Sequence, residues 1–174
     1  GDFAKAAAGF EAARARALAA GSVDTQALAG LHAGLSLALT RIGRHQEALD
    51  AANEARRLRT MALGADHPET LAVGIESATA LVGLDRTEEA VTILRDLHAR
   101  FGERFGPAHS QTIIAAHELG VNLGRLERFD EAIAPLTAAV SAKRDAFGTA
   151  SGNTMNSMAQ LALVQVRAGR VDNA

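Results

Sequence analysis

The chain repeats itself every 42 residues, and this constrains its fold more than any other feature. An Arg-x-x-Glu-Ala pattern at Arg44, Glu47 and Ala48 returns at Arg86, Glu89 and Ala90 and at Arg128, Glu131 and Ala132, with Arg170 and Ala174 at the next places. Gly64, Gly106 and Gly148 keep the same step, as do Thr70, Thr112 and Thr154. A period of roughly 20 to 50 residues with helix-forming composition inside each unit marks a solenoid, because no unit can bury its apolar face alone. Stacking is then the fold, and an extended surface is what stacking produces.

Composition narrows the core chemistry. With 6 Phe, no Trp and no Tyr, the interior must be filled chiefly by Ala and Leu, which are also strong helix formers. Cysteine is absent, so disulfides and thiolate metal sites are excluded. No apolar run approaches the roughly 18 residues a membrane helix needs, and no cleavable leader is visible, so a cytoplasmic location is expected. A net charge of −2 gives no global attraction to nucleic acid or to an anionic membrane.

Within each period the apolar spacing predicts two helices, A and B. Asp66-His67-Pro68-Glu69-Thr70 is a helix start: a polar cap, Pro at the first turn, and an acid where the helix dipole favours it. Leu71, Ile75, Ala78, Leu81 and Val82 follow at helical spacing until Gly83-Leu84-Asp85-Arg86 breaks helix A. Helix B begins near Thr87, carries Ala90, Val91, Leu94, Leu97 and Phe101, and ends at Gly106. Applied throughout, the pattern predicts A helices at 25–42, 67–83, 109–125 and 151–168, and B helices at 3–20, 45–63, 87–105 and 129–147. The expected organisation is one array over 1–174, with repeats at 23–64, 65–106 and 107–148. A lone helix B lies in 1–22 and a lone helix A in 149–174. In phase the chain reads as a piece of a longer array. Phe3, Phe10, Ala13 and Leu18 at one end, and Met158, Leu161 and Val164 at the other, should be partly uncovered and open to self-association.

Small residues bring the helices close together. A Leu-small-x-x-Leu pattern stands at Leu35-Ser36-Leu39 and Leu119-Gly120-Leu123, less fully at Leu161-Ala162, followed by the Ala48, Ala90 and Ala132 column. This resembles the tetratricopeptide repeat, whose pattern pairs Leu-Gly with a later Ala. The run Leu63-Gly64-Ala65-Asp66-His67-Pro68-Glu69-Thr70-Leu71 resembles the linker of kinesin-light-chain-type repeats, with looser copies at Phe105 to Thr112 and Phe147 to Thr154. The resemblance implies an all-α fold, a right-handed superhelix of antiparallel helix pairs that binds protein segments. It also implies a setting in a larger bacterial regulatory protein. Kinesin-type members often carry Asn just before the Leu-small pair; here Gly34, Glu76, Glu118 and Gln160 stand there, so an asparagine grip is not expected.

At 100° per residue, the face of each A helix opposite helix B carries Gly30, Ala33, Gly34, Leu37 and Arg41, then Ala72, Ile75, Glu76, Thr79 and Gly83. In the later repeats it carries Ile114, His117, Glu118, Val121 and Arg125, then Asn156, Ala159, Gln160, Leu163 and Arg167. In tetratricopeptide superhelices this face lines the concave groove. The expected partner-binding set is Arg41, Ile75, Glu76, Thr79, Ile114, His117, Glu118, Val121, Arg125, Asn156, Gln160 and Arg167. It combines an apolar floor, an acidic to amide row and a basic row suited to a protein or peptide segment. Late cations in the B helices, among them Arg56, Arg59 and Lys143, read as complements of the helix dipole. His117-Glu118 lacks the second histidine of a zinc motif because Val121 occupies its place, and the linker glycines are followed by no Gly-Lys-Ser or Gly-Lys-Thr. No enzyme activity, metal, cofactor, nucleic acid or membrane partner is expected. A binding scaffold is the first reading and a self-associating structural element the alternative.

Overall fold

The computed structural model describes residues 2–21 and 24–169. Arg170 and Ala174 of the repeat pattern lie outside them. Among the described residues there are eight helices and no strand. They are α1 (Asp2–Ala19), α2 (Thr25–Arg41), α3 (His45–Leu63), α4 (Pro68–Gly83), α5 (Thr87–Phe105), α6 (Ser110–Arg125), α7 (Phe129–Phe147) and α8 (Gly152–Arg167). Every boundary falls within one residue of the position the periodicity predicts. None of these helices is long and apolar enough to cross a membrane. The chain divides into two compact units, Gly1–Ala90 and Val91–Ala174.

Each conserved step of the period has a local job. Arg44, Arg86 and Arg128 fork onto the carboxylates of Glu47, Glu89 and Glu131 one turn into the B helices, with the shortest N to O distances between 2.5 and 2.7 Å. Because the partners are exposed, or half-buried in the case of Arg128, the fork organises a helix start more than it stabilises the fold. His67 and His109 cap α4 and α6: each Nδ1 accepts the backbone N–H two residues on, at 3.3 Å. The Phe105 ring stacks on His109, centroids 4.6 Å apart. Thr70 and Thr112 donate their hydroxyls to the carbonyls of Gly64 and Gly106, both at 2.9 Å, tying the helix start back to the preceding helix end. Ser151 gives α8 no side-chain cap, and the buried Thr154 hydroxyl has no partner among the described residues. The third copy of this linker is therefore the loosest.

Packing follows the small residues. Ala48, Ala90 and Ala132 are completely buried. In the first unit the Ser36 hydroxyl donates to the Ala48 carbonyl at 2.8 Å, so the small side chain of α2 closes directly on the backbone of α3. In the second unit a Cβ on Gly120 would stand 3.1 Å from the Ala132 carbonyl and collide with Leu136, so only glycine admits this α6 to α7 approach. The core of the first unit includes Leu35, Leu39, Ala52, Leu58, Val73 and Leu81; that of the second includes Phe101, Ile113, Leu119, Leu123 and Leu136.

Candidate functional site

The expected binding face is not one uniform surface. In the first unit it is partly occupied by side chains of the B helices. The Phe10 ring of α1 fills the place a side chain on Gly34 would take, and the His45 ring of α3 does the same at Gly83. Arg41 is exposed, but its guanidinium carbon lies 5.9 Å from the centroid of Phe3. Thr79 is exposed and donates its hydroxyl to the Ile75 carbonyl one turn back, at 2.9 Å. Ile75 is half-buried. Glu76 is half-buried too, yet its Oε2 is sealed from solvent and has no hydrogen-bond partner among the described residues. Burial pushes the Glu76 carboxyl up to about 7, against the smaller opposing pull of Arg59.

The second unit gathers its share of the predicted residues more tightly. Val121, Arg125, Gln160 and Arg167 line one open cleft of about 220 Å³ between α6, the start of α7 and α8, together with Gly124, Phe129, Leu163 and Val164. Arg125 is steadied by a hydrogen bond from Nη1 to the Asn122 Oδ1 at 3.3 Å, and the buried Asn122 in turn donates to the Glu118 carbonyl at 2.8 Å. Burial raises the Glu118 carboxyl, with the Arg125 and Lys143 charges opposing. Ile114 and Asn156 are exposed and lie outside this cleft.

His117 is tied into a polar chain that periodicity alone did not suggest. Its Nδ1 is 3.0 Å from the Ser157 hydroxyl of α8, and Lys143 of α7 donates to the same hydroxyl at 2.8 Å. Burial first, then the Lys143 charge, pulls the His117 imidazole down to about 4, so it is neutral near pH 7 and can accept the serine proton. Lys143 is thus a bridge between helices, where a helix-dipole role was expected. Arg59 shows the same behaviour: it donates to the Glu69 carbonyl at 2.8 Å, reaching from α3 to the start of α4. The signal was present in the register, because Lys143 stands 42 residues after the fully buried Phe101 and 84 after Arg59, in an inward-facing column.

Sequence and fold comparisons agree on the kind of protein this is. The profile of the tetratricopeptide repeat matches residues 33–69 and 75–145, together well over half of the chain. No curated protein sequence matches. Among solved structures, BtubC (BKLC) from P. vanneervenii superimposes with a TM-score of 0.84 at 19% identity, over 99% of this chain and 68% of that one. A Podosopora anserina protein named for the kinesin light chain, with nearly identical TPR-like repeats, gives 0.79 at 21% identity, covering 86% and 71%. Aspartyl phosphate phosphatase F from Bacillus subtilis gives 0.76 at 15% identity over 95% of this chain, which spans 41% of that protein. At these identities the likeness is one of fold, an α-helical solenoid. With the repeat profile, the 42-residue step and the Leu-small and Ala columns all in place, the chain belongs to the tetratricopeptide-repeat family.

Proposed function

We propose that the chain is a protein- or peptide-binding scaffold whose repeats form one array, presenting the exposed face of its A helices to a partner segment. Tetratricopeptide repeats generally mediate protein–protein interaction. The observation that carries the reading is the cleft of the second unit, where Arg125 and Arg167 share one concavity with Gln160 on a floor of Val121 and Leu163. Among the described residues neither guanidinium forms a salt bridge with a carboxylate, Arg125 holding only the Asn122 amide oxygen and acting on Glu118 through its charge, so both can turn to a partner's carboxylates. Such a surface suits a segment that alternates apolar and acidic side chains. The setting that fits best is a larger bacterial regulatory protein in the cytoplasm, compatible with the fold likeness to the aspartyl phosphate phosphatase F of Bacillus subtilis.

The test is the double substitution Arg125→Glu and Arg167→Glu. Both residues are exposed, so the variant should melt like the parent. Capture of the natural partner should weaken and lose its dependence on salt. Equal capture by the double variant would overturn the proposal. Self-association is the second reading, favoured by the exposed Met155, Met158 and Val166 on α8. A sedimentation profile that stays monomeric at high concentration would remove it.

A further inference from the structure

A different cleft lies in the first unit, between α1 and α3 and floored by α2, with a volume of about 250 Å³. Its floor is Leu35 and Leu39, and its walls carry Glu11, Arg14, Glu47 and Asp50. The second unit has the same cleft in the same register, between α5, α6 and α7, floored by Leu119 and Leu123. There Arg95 of α5 reaches across and donates to Glu131 of α7 at 2.9 Å, closing the rim with the chain's own ion pair. The first unit places Glu11 and Glu47 at these two positions, and Asp50 where the second has Ala134. Two carboxylates face each other where the copy has a cation and a carboxylate.

Arg44 answers only part of this surplus. It is forked onto Glu47 and lies 3.6 Å from the nearer Glu11 oxygen. With Arg14 counted as well, three carboxylates stand against two guanidinium groups, whereas the second unit's rim has Arg95 and Arg128 against Glu131. A second, independent feature points the same way. His32, more than nine-tenths buried, lines the cleft, and its Nδ1, sealed from solvent, has no hydrogen-bond partner among the described residues. Burial above all, with Arg14 adding to it, lowers the His32 pKa, so the ring is neutral near pH 7 and can accept an N–H.

We propose that this cleft is a socket for an arginine or lysine side chain presented by a partner protein segment. The aliphatic stem lies on Leu35 and Leu39, and the charged head sits between Glu11 and Asp50 within reach of His32. The incoming cation takes the place Arg95 holds in the second unit. The socket is distinct from the Arg125 and Arg167 cleft and selects the opposite charge.

The experiment is an NMR titration of the full chain with acetyl-Leu-Arg-Leu-amide, with the citrulline peptide as its neutral counterpart. The His32 ring and the Leu39 methyl groups should shift saturably with the arginine peptide, and binding should weaken by about tenfold or more with citrulline. Glu11→Arg with Asp50→Ala, which copies Arg95 and Ala134, should cause a similar loss. Glu11→Gln with Asp50→Asn, which preserves shape, should do the same if the first variant folds poorly. Arg125→Glu with Arg167→Glu should bind the arginine peptide as the parent does. Equal affinity for citrulline, full binding by the Glu11 and Asp50 variants, loss in the Arg125 and Arg167 variant, or no shift at millimolar peptide would each overturn the socket. Spermidine binding in the absence of peptide binding would overturn its assignment to a protein partner.

Discussion

The two units are cut from one repeat and both bury a carboxyl at the same place, Glu76 and Glu118, yet only the second sets an imidazole directly before it, His117 where the first has Ile75. In the first unit, α4 carries Ile75 followed by Glu76, a carboxyl with one oxygen sealed and unpartnered. In the second, the register of Ile75 holds His117, that of Val73 in the next A helix holds Ser157, and that of Arg59 holds Lys143, and these three are hydrogen-bonded together. The backbone template tolerates both fillings because the Ala and Leu columns that set the helix spacing are elsewhere on each helix. Repetition therefore fixes the packing, while the polar residues between the packed columns are free to differ and give each unit its own chemistry.

The largest expected effect tests the shared part of this comparison. Ala48→Leu in the first unit and Ala132→Leu in the second each force a branched side chain into a fully closed helix contact, and each should cost about 1–3 kcal/mol in thermal or denaturant unfolding. Comparable losses support a common template. An unchanged melting temperature for either would place the close contact elsewhere.

Next comes the pH dependence, where the two units should part. The Glu76 carboxyl is raised from its ordinary value to about 7, so the folded chain holds this proton more tightly than the unfolded chain. Its contribution is fully present below the unfolded value and is lost as pH rises through 7. Glu76→Gln should thus stabilise the protein at pH 8 to 9 by on the order of 1–3 kcal/mol and change little near pH 4. The His117 imidazole is depressed to about 4, so its contribution is present above the unfolded value near 6.5 and is lost as pH falls toward 4. His117→Ile, which copies Ile75, should flatten that acid limb and leave the alkaline limb alone. Hydrogen exchange in α6 and α8 against α3 and α4 would separate the Glu76 and His117 contributions from those of Glu118 and His32, which are shifted in the same two directions in the opposite units. Coincident pH profiles in the two units would break the distinction.

The smallest effect concerns a turn both units share. Just past the end of each helix A the backbone enters the left-handed region, with Gly43 at φ 80°, Asp85 at 59°, Glu127 at 59° and Gly169 at 74°. Glycine adopts this conformation freely and a side chain does not. Asp85→Gly and Glu127→Gly should each change stability by no more than about 1 kcal/mol, in the stabilising direction, as read from denaturant midpoints. Clear destabilisation by either would mean that its carboxylate serves the turn.

Much of the architecture was legible before any coordinates. The helix boundaries could be read because caps, glycines and apolar spacing act within a turn or two of chain, and the 42-residue step let each copy check the others. The Leu-small and Ala columns were legible for the same reason. The candidate face was legible as a set of positions and only partly as a surface. Gly34 and Gly83, placed on the candidate face, lie against Phe10 and His45, since the absence of a side chain invites a neighbouring ring to fill the space. Lys143, read as a complement of its own helix dipole, spends its charge on Ser157 of the next helix.

What the sequence by itself determined is therefore the periodic part: eight helices, their register, and the close contacts at Ser36, Gly120 and the Ala column. What only the tertiary structure decided is where the long and polar side chains go. Arg125 and Arg167 share a cleft, Arg95 crosses to Glu131, and His117 meets a serine 40 residues away. The physical reason is reach. Helical periodicity fixes the direction in which a Cβ leaves the backbone, but a lysine or arginine head lies several flexible bonds beyond that point, where burial and the nearest partner on another helix choose its position.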